Sequence, residues 1–232
     1  KKINGEIINA DSMQVYKQLK ILTARPSRIE QKNIKHHMYG SVELNKKFST
    51  GQWLKVAIKK IKEIKKRKKI PILVGGTGLY FQSLISGLVK IPEIPTKFRN
   101  KIRLIQKKEG QKKFYKKLLK IDPNAKDKFD PNDTQRTIRA FEIKSFTKIS
   151  MYEWLKKTQS EFKEEEFLKL YIDFKREDLI KKISLRTIKM IEEGAIKEVK
   201  RFIKLRIKKD LNVNRVIGID ELTQHIDKKI NL

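Results

Sequence analysis

The sequence predicts an α/β protein with a parallel sheet and an all-helical insertion. Three observations predict it. Between positions 53 and 85 a helical repeat, a short apolar run, a glycine turn and a second helical stretch follow one another, the order of a doubly wound sheet. A second apolar run, 6–10, ends in polar residues. Past Pro92 and Pro95 the pattern becomes helical throughout.

Each element has its own warrant. Run 6–10 reads as a buried strand that delivers Asp11 and Ser12 at its carboxyl end, where ligands collect in open α/β sheets. Leu54, Ala57, Ile58, Ile61 and Ile64 keep helical spacing over 53–69, and Ser49 with Gln52 forms a capping box ahead of them. Run 70–74 reads as a fully buried strand entered through Pro71, and 79–85 as a helix. Phe98, Ile102 and Ile105 share a helix face that ends at Gly110. Phe114, Leu118 and Leu119 make the next helix before Pro123, and Asn132-Asp133 cap a third. Run 167–174 returns to strand-like sequence, and Leu179, Ile183, Thr187 and Met190 form a helix that Gly194 can end. The domain reading is therefore 1–95 for the first part of the core, 96–160 for the insertion, and 161–232 for the second part.

With 232 residues, one substantial core plus an appendage is expected. The net charge of +30, from 57 Lys and Arg against 27 Asp and Glu, points to a polyanionic partner such as nucleic acid, because neutralised phosphates release condensed counterions. The lysine-rich composition also fits solvated helix surface, and charge alone does not separate the two. The absence of cysteine excludes disulfides, thiolate metal sites and a Cys nucleophile. No apolar run reaches membrane-spanning length and no signal peptide opens the chain, so a cytoplasmic protein with no membrane partner is the expectation, and a monomer is expected.

Five groups of residues could carry chemistry. Asp11-Ser12-Met13-Gln14-Val15-Tyr16 places a carboxylate beside hydroxyl and amide groups, suited to accept a proton from a polar substrate. Asp11 and Ser12 could equally cap a following helix. Gly75-Gly76-Thr77-Gly78 between strand and helix can bring backbone N–H groups and the Thr77 hydroxyl to a phosphate or diphosphate, although such turns also occur without ligands. In the helix from Thr134, Gln135, Arg139 and Glu142 share a face that could read a base edge or grip phosphate, or could be ordinary surface. Lys182, Arg186 and Lys189 form a basic stripe. His36-His37 point to opposite sides and make a poor metal site, so a structural role is assigned to them.

Taken in order, the segments around Asp11, His36-His37, Gly75 to Tyr80, Asn132 to Glu142 and Arg215 to Asp220 resemble the tRNA dimethylallyltransferase, or tRNA isopentenyltransferase, family. The resemblance implies a parallel-sheet core like that of the P-loop nucleoside triphosphatases, with a helical insertion that grips the anticodon stem-loop of tRNA. It implies transfer of a dimethylallyl group from dimethylallyl diphosphate to the exocyclic N6 amine of the adenine 3′ of the anticodon, with Mg2+ as counter-cation. Asp11 matches the family's general base, and Thr77 the residue between adenine and diphosphate. Asp11, Ser12, Met13, Gln14, Thr77, Arg99, Gln135, Arg136, Thr137, Ile138, Arg139 and Arg215 match positions implied to contact tRNA. Gly75, Gly76, Thr77 and Arg186 fall to the diphosphate; metal ligands stay unassigned.

The sequence also departs from the family pattern. The glycine-rich phosphate loop that precedes the first strand in the family is not found, nor is the basic segment beyond the region of Arg215, so an incomplete and weakly active version is expected. Arg25 stands where lysine is usual, and Lys182 where arginine is common. The competing readings are a prenyltransferase of free adenine nucleotides, a small-molecule kinase or ATPase, and a non-catalytic RNA-binding protein.

Overall fold

A computed structural model describes residues 2–231. The chain forms two compact units. One comprises the residues up to Leu84 together with those from Lys163 onward; the other is Ile85–Phe162. The helical unit thus begins ahead of the proline pair rather than after it. The turn at Gly87 packs so tightly on the backbone of Gln159 that an added Cβ would lie 2.3 Å from its carbonyl oxygen, which ties this stretch to the helical unit.

The first unit opens with strand β1 (Gly5–Asn9), followed by helix α1 (Arg28–Gln31), strand β2 (His36–His37), helix α2 (Thr50–Lys66), strand β3 (Ile70–Val74) and helix α3 (Gly78–Ser86). All strands run parallel in the order β2-β1-β3, with Ile7 opposite His36 and Ile72 opposite Ile7 on the other side. The capping box of α2 forms as expected, Ser49 accepting from the Gln52 N–H and the Gln52 side chain accepting from the Ser49 N–H. Trp53, Ala57, Ile61 and Ile64 then turn inward on one stripe.

The helical unit holds α4 (Thr96–Glu109), α5 (Gln111–Ile121), α6 (Thr134–Thr147) and α7 (Met151–Leu155). Ile102, Phe114 and Ile138 form one of its clusters, and Leu118, Ala125, Phe129 and Ala140 another. Asp133 caps α6 by accepting from the Arg136 N–H. The remainder of the first unit contains α8 (Arg176–Glu192), α9 (Ala195–Lys204) and α10 (Ile219–Ile226).

Two sequence expectations are corrected. Run 70–74 is a strand but not a fully buried one: β3 lies at the end of the strand order, and Ile70 and Val74 are half exposed. Run 167–174 forms no strand among the described residues, and Leu168, Leu170, Tyr171 and Ile172 are 79–91% exposed. Strand propensity produces a strand only where a neighbour offers ladder hydrogen bonds, and no strand pairs with this run.

Candidate active site

The carboxyl end of β1 builds the site. Asn9 is fully buried and braces the backbone beyond the strand: its Oδ1 accepts from the Asp11 N–H at 2.9 Å, and its Nδ2 donates to the carbonyls of Asp11 and Met38. Trp53 Nε1 donates to the Asn9 carbonyl, and the indole stacks on Tyr80 with centroids 4.2 Å apart. The chain is therefore fixed up to Asp11 by a strand, a buried amide and an aromatic pair.

Asp11 then folds back on itself. Its Oδ1 accepts from the N–H groups of Met13, at 2.7 Å, and Gln14, at 3.2 Å. These are cap-like bonds, yet a turn rather than a helix follows. Among the described residues Oδ2 makes no hydrogen bond, so one oxygen is anchored while the other stays open to a substrate proton. Tyr80 is held at about 12, chiefly by burial and then by the charges of Tyr16 and Asp11. Burial, then the Asp11 charge, likewise raises Tyr39. Both phenols stay neutral near the carboxylate and contribute apolar surface and O–H groups.

The glycine turn is locked to the same strand end. Ala10 donates to the Val74 carbonyl at 2.8 Å, Thr77 N–H to the Ala10 carbonyl at 3.1 Å, and Ser12 N–H to Thr77 Oγ1 at 2.9 Å. Gly75 must be glycine: a Cβ there would lie 2.2 Å from the Ala10 carbonyl carbon and 2.6 Å from the Asp11 nitrogen. Gly76 and Gly78 have open space beside them, and the turn leads directly into α3. A helix N-terminus with small residues and a hydroxyl suits an anion.

The structure thus unites Asp11, Ser12, Gly75, Gly76 and Thr77. Gln14 belongs to the same loop but spends its amide on the carbonyls of Thr23 and Ala24, and Met13 packs on the core beside Val15 and Leu19. Arg186 is exposed on α8, and no hydrogen bond or ion pair joins it to the glycine turn among the described residues. Lys182 sits 4.5 Å from the Phe174 ring, and Lys189 pairs with Glu193. Arg215 is exposed at a short 3-10 turn. His36 and His37 act structurally, His37 pairing with the buried Glu6.

In the helical unit Gln135 and Arg136 are exposed on the first turn of α6, and Arg99 and Arg139 are half exposed. Thr137 and Ile138 do not present their side chains at the surface. The helical period turns both inward, where Thr137 accepts from Gln111 and Ile138 packs on Ile102 and Phe114. Sequence reading missed Asn9 and Glu198 as supports of the site. Glu198 on α9 accepts from the N–H groups of Lys20, Ile21 and Leu22, fixing the loop that holds Gln14. An isolated glutamate on a helix gives no signal of such a distant partner.

The Mg2+ expected from the family has no ready protein cage: no group of three or more His, Asp or Glu side chains among the described residues could hold a metal ion.

The sequence model of the IPP transferase family matches residues 14–232. The chain is 74% identical to a tRNA dimethylallyltransferase of Pelagibacter ubique over all 232 of its residues, which span 74% of that relative. It is 40% identical to the tRNA dimethylallyltransferase of Rickettsia canadensis, again over the whole chain and 72% of the relative. Among solved structures, a eukaryotic dimethylallyltransferase caught acting on tRNA superposes with a TM-score of 0.82 at 31% identity, over 98% of this chain and 58% of that one. Both curated alignments run along the full length of this chain and cover about three quarters of each relative.

Proposed function

The chain belongs to the IPP transferase family, and from that premise we propose that Asp11 and Thr77 form the reaction centre of a tRNA prenyl transfer. The protein is a tRNA-modifying transferase that carries a dimethylallyl group to tRNA. The proposal extends to the donor, dimethylallyl diphosphate, and to the acceptor, the N6 amine of the adenine 3′ of the anticodon. The carrying observation is the divided carboxylate: Asp11 Oδ1 is anchored by two N–H groups while Oδ2 has no hydrogen bond among the described residues, one residue from the Ser12–Thr77 bond that locks the glycine turn in place.

In the reaction the N6 nitrogen attacks the first carbon of the allylic chain as that carbon's bond to the diphosphate oxygen breaks. The electron pair of the broken bond leaves with the diphosphate, and the N6 proton passes to Asp11. The turn's N–H groups, the Thr77 hydroxyl and the N-terminus of α3 face a departing anion with fixed donors, so little reorganisation is required as its charge develops. The adenine leaves its stack to reach such a site, at a cost of a few kcal/mol that a loop nucleotide lowers.

The experiment incubates the protein with tRNA and dimethylallyl diphosphate and analyses the digested nucleosides by mass spectrometry. Asp11→Asn keeps an oxygen for the Met13 and Gln14 N–H groups, so turnover should fall by roughly 100- to 10,000-fold while tRNA affinity is retained. Prenyl transfer to AMP in preference to tRNA would refute the choice of acceptor.

A further inference from the structure

We infer that Glu142 is a positioning residue for RNA binding, whose buried carboxylate presets Arg99, Arg103 and Arg139 as a three-guanidinium grip on phosphodiester groups. The inference rests on the tRNA reading above, and it adds Arg103 and Glu142 to the residues the family resemblance supplies.

Glu142 is 1% exposed in the interior face of α6. Its Oε2 accepts from Arg99 Nε at 3.2 Å and from Arg139 Nη1 at 3.4 Å, while Arg103 Nε lies 3.7 Å from Oε1, which makes no hydrogen bond. Arg99 and Arg103 stand one turn apart on α4, and Arg139 one turn before Glu142 on α6. Three positive charges thus converge on one negative charge and leave a local surplus of two.

A carboxylate that needed only neutralising would be served by one well-placed cation. Here each of the three arginine side chains is still 41–49% exposed, and among the described residues no guanidinium group makes another hydrogen bond or ion pair. Arg99 and Arg103 commit only the Nε edge to Glu142, so both terminal nitrogens of each remain as donors. Guanidinium groups held in this way meet a phosphate with planar, paired N–H groups and lose little side-chain entropy on binding. Without the carboxylate the same three cations repel one another and must be ordered by the RNA itself.

The sign of one measurement separates this from bulk electrostatics. Glu142→Gln makes the protein more positive by one charge, so attraction to a polyanion alone predicts tighter RNA binding. Preset geometry predicts weaker binding, on the order of tenfold in Kd for tRNA, with a matching rise in KM and an unchanged kcat at saturating tRNA. Filter binding across a salt series and steady-state prenylation read these quantities, and thermal unfolding verifies that the variant is folded. Arg103→Gln is the companion: it lies on the surface, and it should weaken binding several-fold and lower the slope of log Kd against log salt by about one. Equal or tighter binding by folded Glu142→Gln overturns the inference. Should that variant fail to fold, an unchanged Kd and salt slope for Arg103→Gln overturns it. Absence of prenyl transfer by the unsubstituted protein would defeat the function proposed above, while the binding comparison would still decide the role of Glu142.

Discussion

Replacing Gly75 by alanine tests whether the glycine turn is fixed by its own packing or by a ligand. The new Cβ would lie 2.2, 2.3 and 2.6 Å from the carbonyl carbon and oxygen of Ala10 and the nitrogen of Asp11, all backbone atoms that no rotamer change can move. Overpacking of this kind costs about 1–3 kcal/mol. Relief requires β1 and the turn to part, which strains the Thr77–Ala10 and Ser12–Thr77 bonds, each contributing about 1 kcal/mol. A loss of about 3 kcal/mol is expected, or a fall in the melting temperature of roughly 6–12 °C for a chain of this size. Because Asp11 sits on the displaced backbone, kcat should drop roughly 100-fold, the cost of about an ångström of misplacement. Gly76→Ala is the internal control, since nothing lies within 4 Å of its added Cβ; its stability should stay within about 0.5 kcal/mol of the parent. Calorimetry and initial-rate kinetics on both variants make the comparison. Equal stability of the Gly75 and Gly76 variants would refute the packing account.

Two further predictions concern the first unit. Burial pushes the Glu6 carboxyl up, but bonds from His37, Lys69 and Arg67 outweigh it and hold the group at about 2, below its ordinary 4.5. A depressed carboxyl contributes its stability above pH 4.5 and loses it as pH falls through 2, so acid titration followed by circular dichroism should steepen in that window. Glu6→Gln should remove that dependence and cost roughly 3–5 kcal/mol at neutral pH. The exposed run around Leu170 and Ile172 should bind anilinonaphthalene sulfonate, and Leu170→Lys with Ile172→Lys should reduce the fluorescence without lowering the melting temperature; undiminished dye binding would place the apolar surface elsewhere.

Periodicity made most of the helices legible because their inner faces repeat locally: Trp53, Ala57, Ile61 and Ile64 for α2, or Phe114 and Leu118 for α5. The strand at 6–10 and the glycine turn were equally readable, since each is a run with its own punctuation. Run 167–174 was misread for the same reason. It has strand composition, but pairing is a property of the neighbour and not of the run. At the site, the types Asp11 and Thr77 were legible and their bond network was not. Asn9 looks like any polar residue at a strand end until its amide is seen spanning Asp11 and Met38. Thr137 and Ile138 lie inside a motif that reads as RNA-binding, yet five consecutive positions of one helix cannot all face the same partner.

Charge shows the same limit from the other side. A surplus of 30 positive charges could be read as a general attraction for a polyanion, whereas Glu6 and Glu198 carry no signal of their own in the sequence. In the structure three buried or helix-borne carboxylates each organise several donors around them. Glu6 gathers His37, Arg67 and Lys69 at one end of the sheet, Glu142 gathers Arg99, Arg103 and Arg139, and Glu198 gathers three successive backbone N–H groups at 20–22. Each works because one anion is shared by several donors, which offsets the cost of removing it from water better than a single pair would. In a chain this basic, a carboxylate-to-amide change therefore carries more information than the loss of one lysine among many. It raises the net charge while removing geometry, so an RNA affinity that falls in Glu142→Gln assigns binding to arrangement rather than to charge.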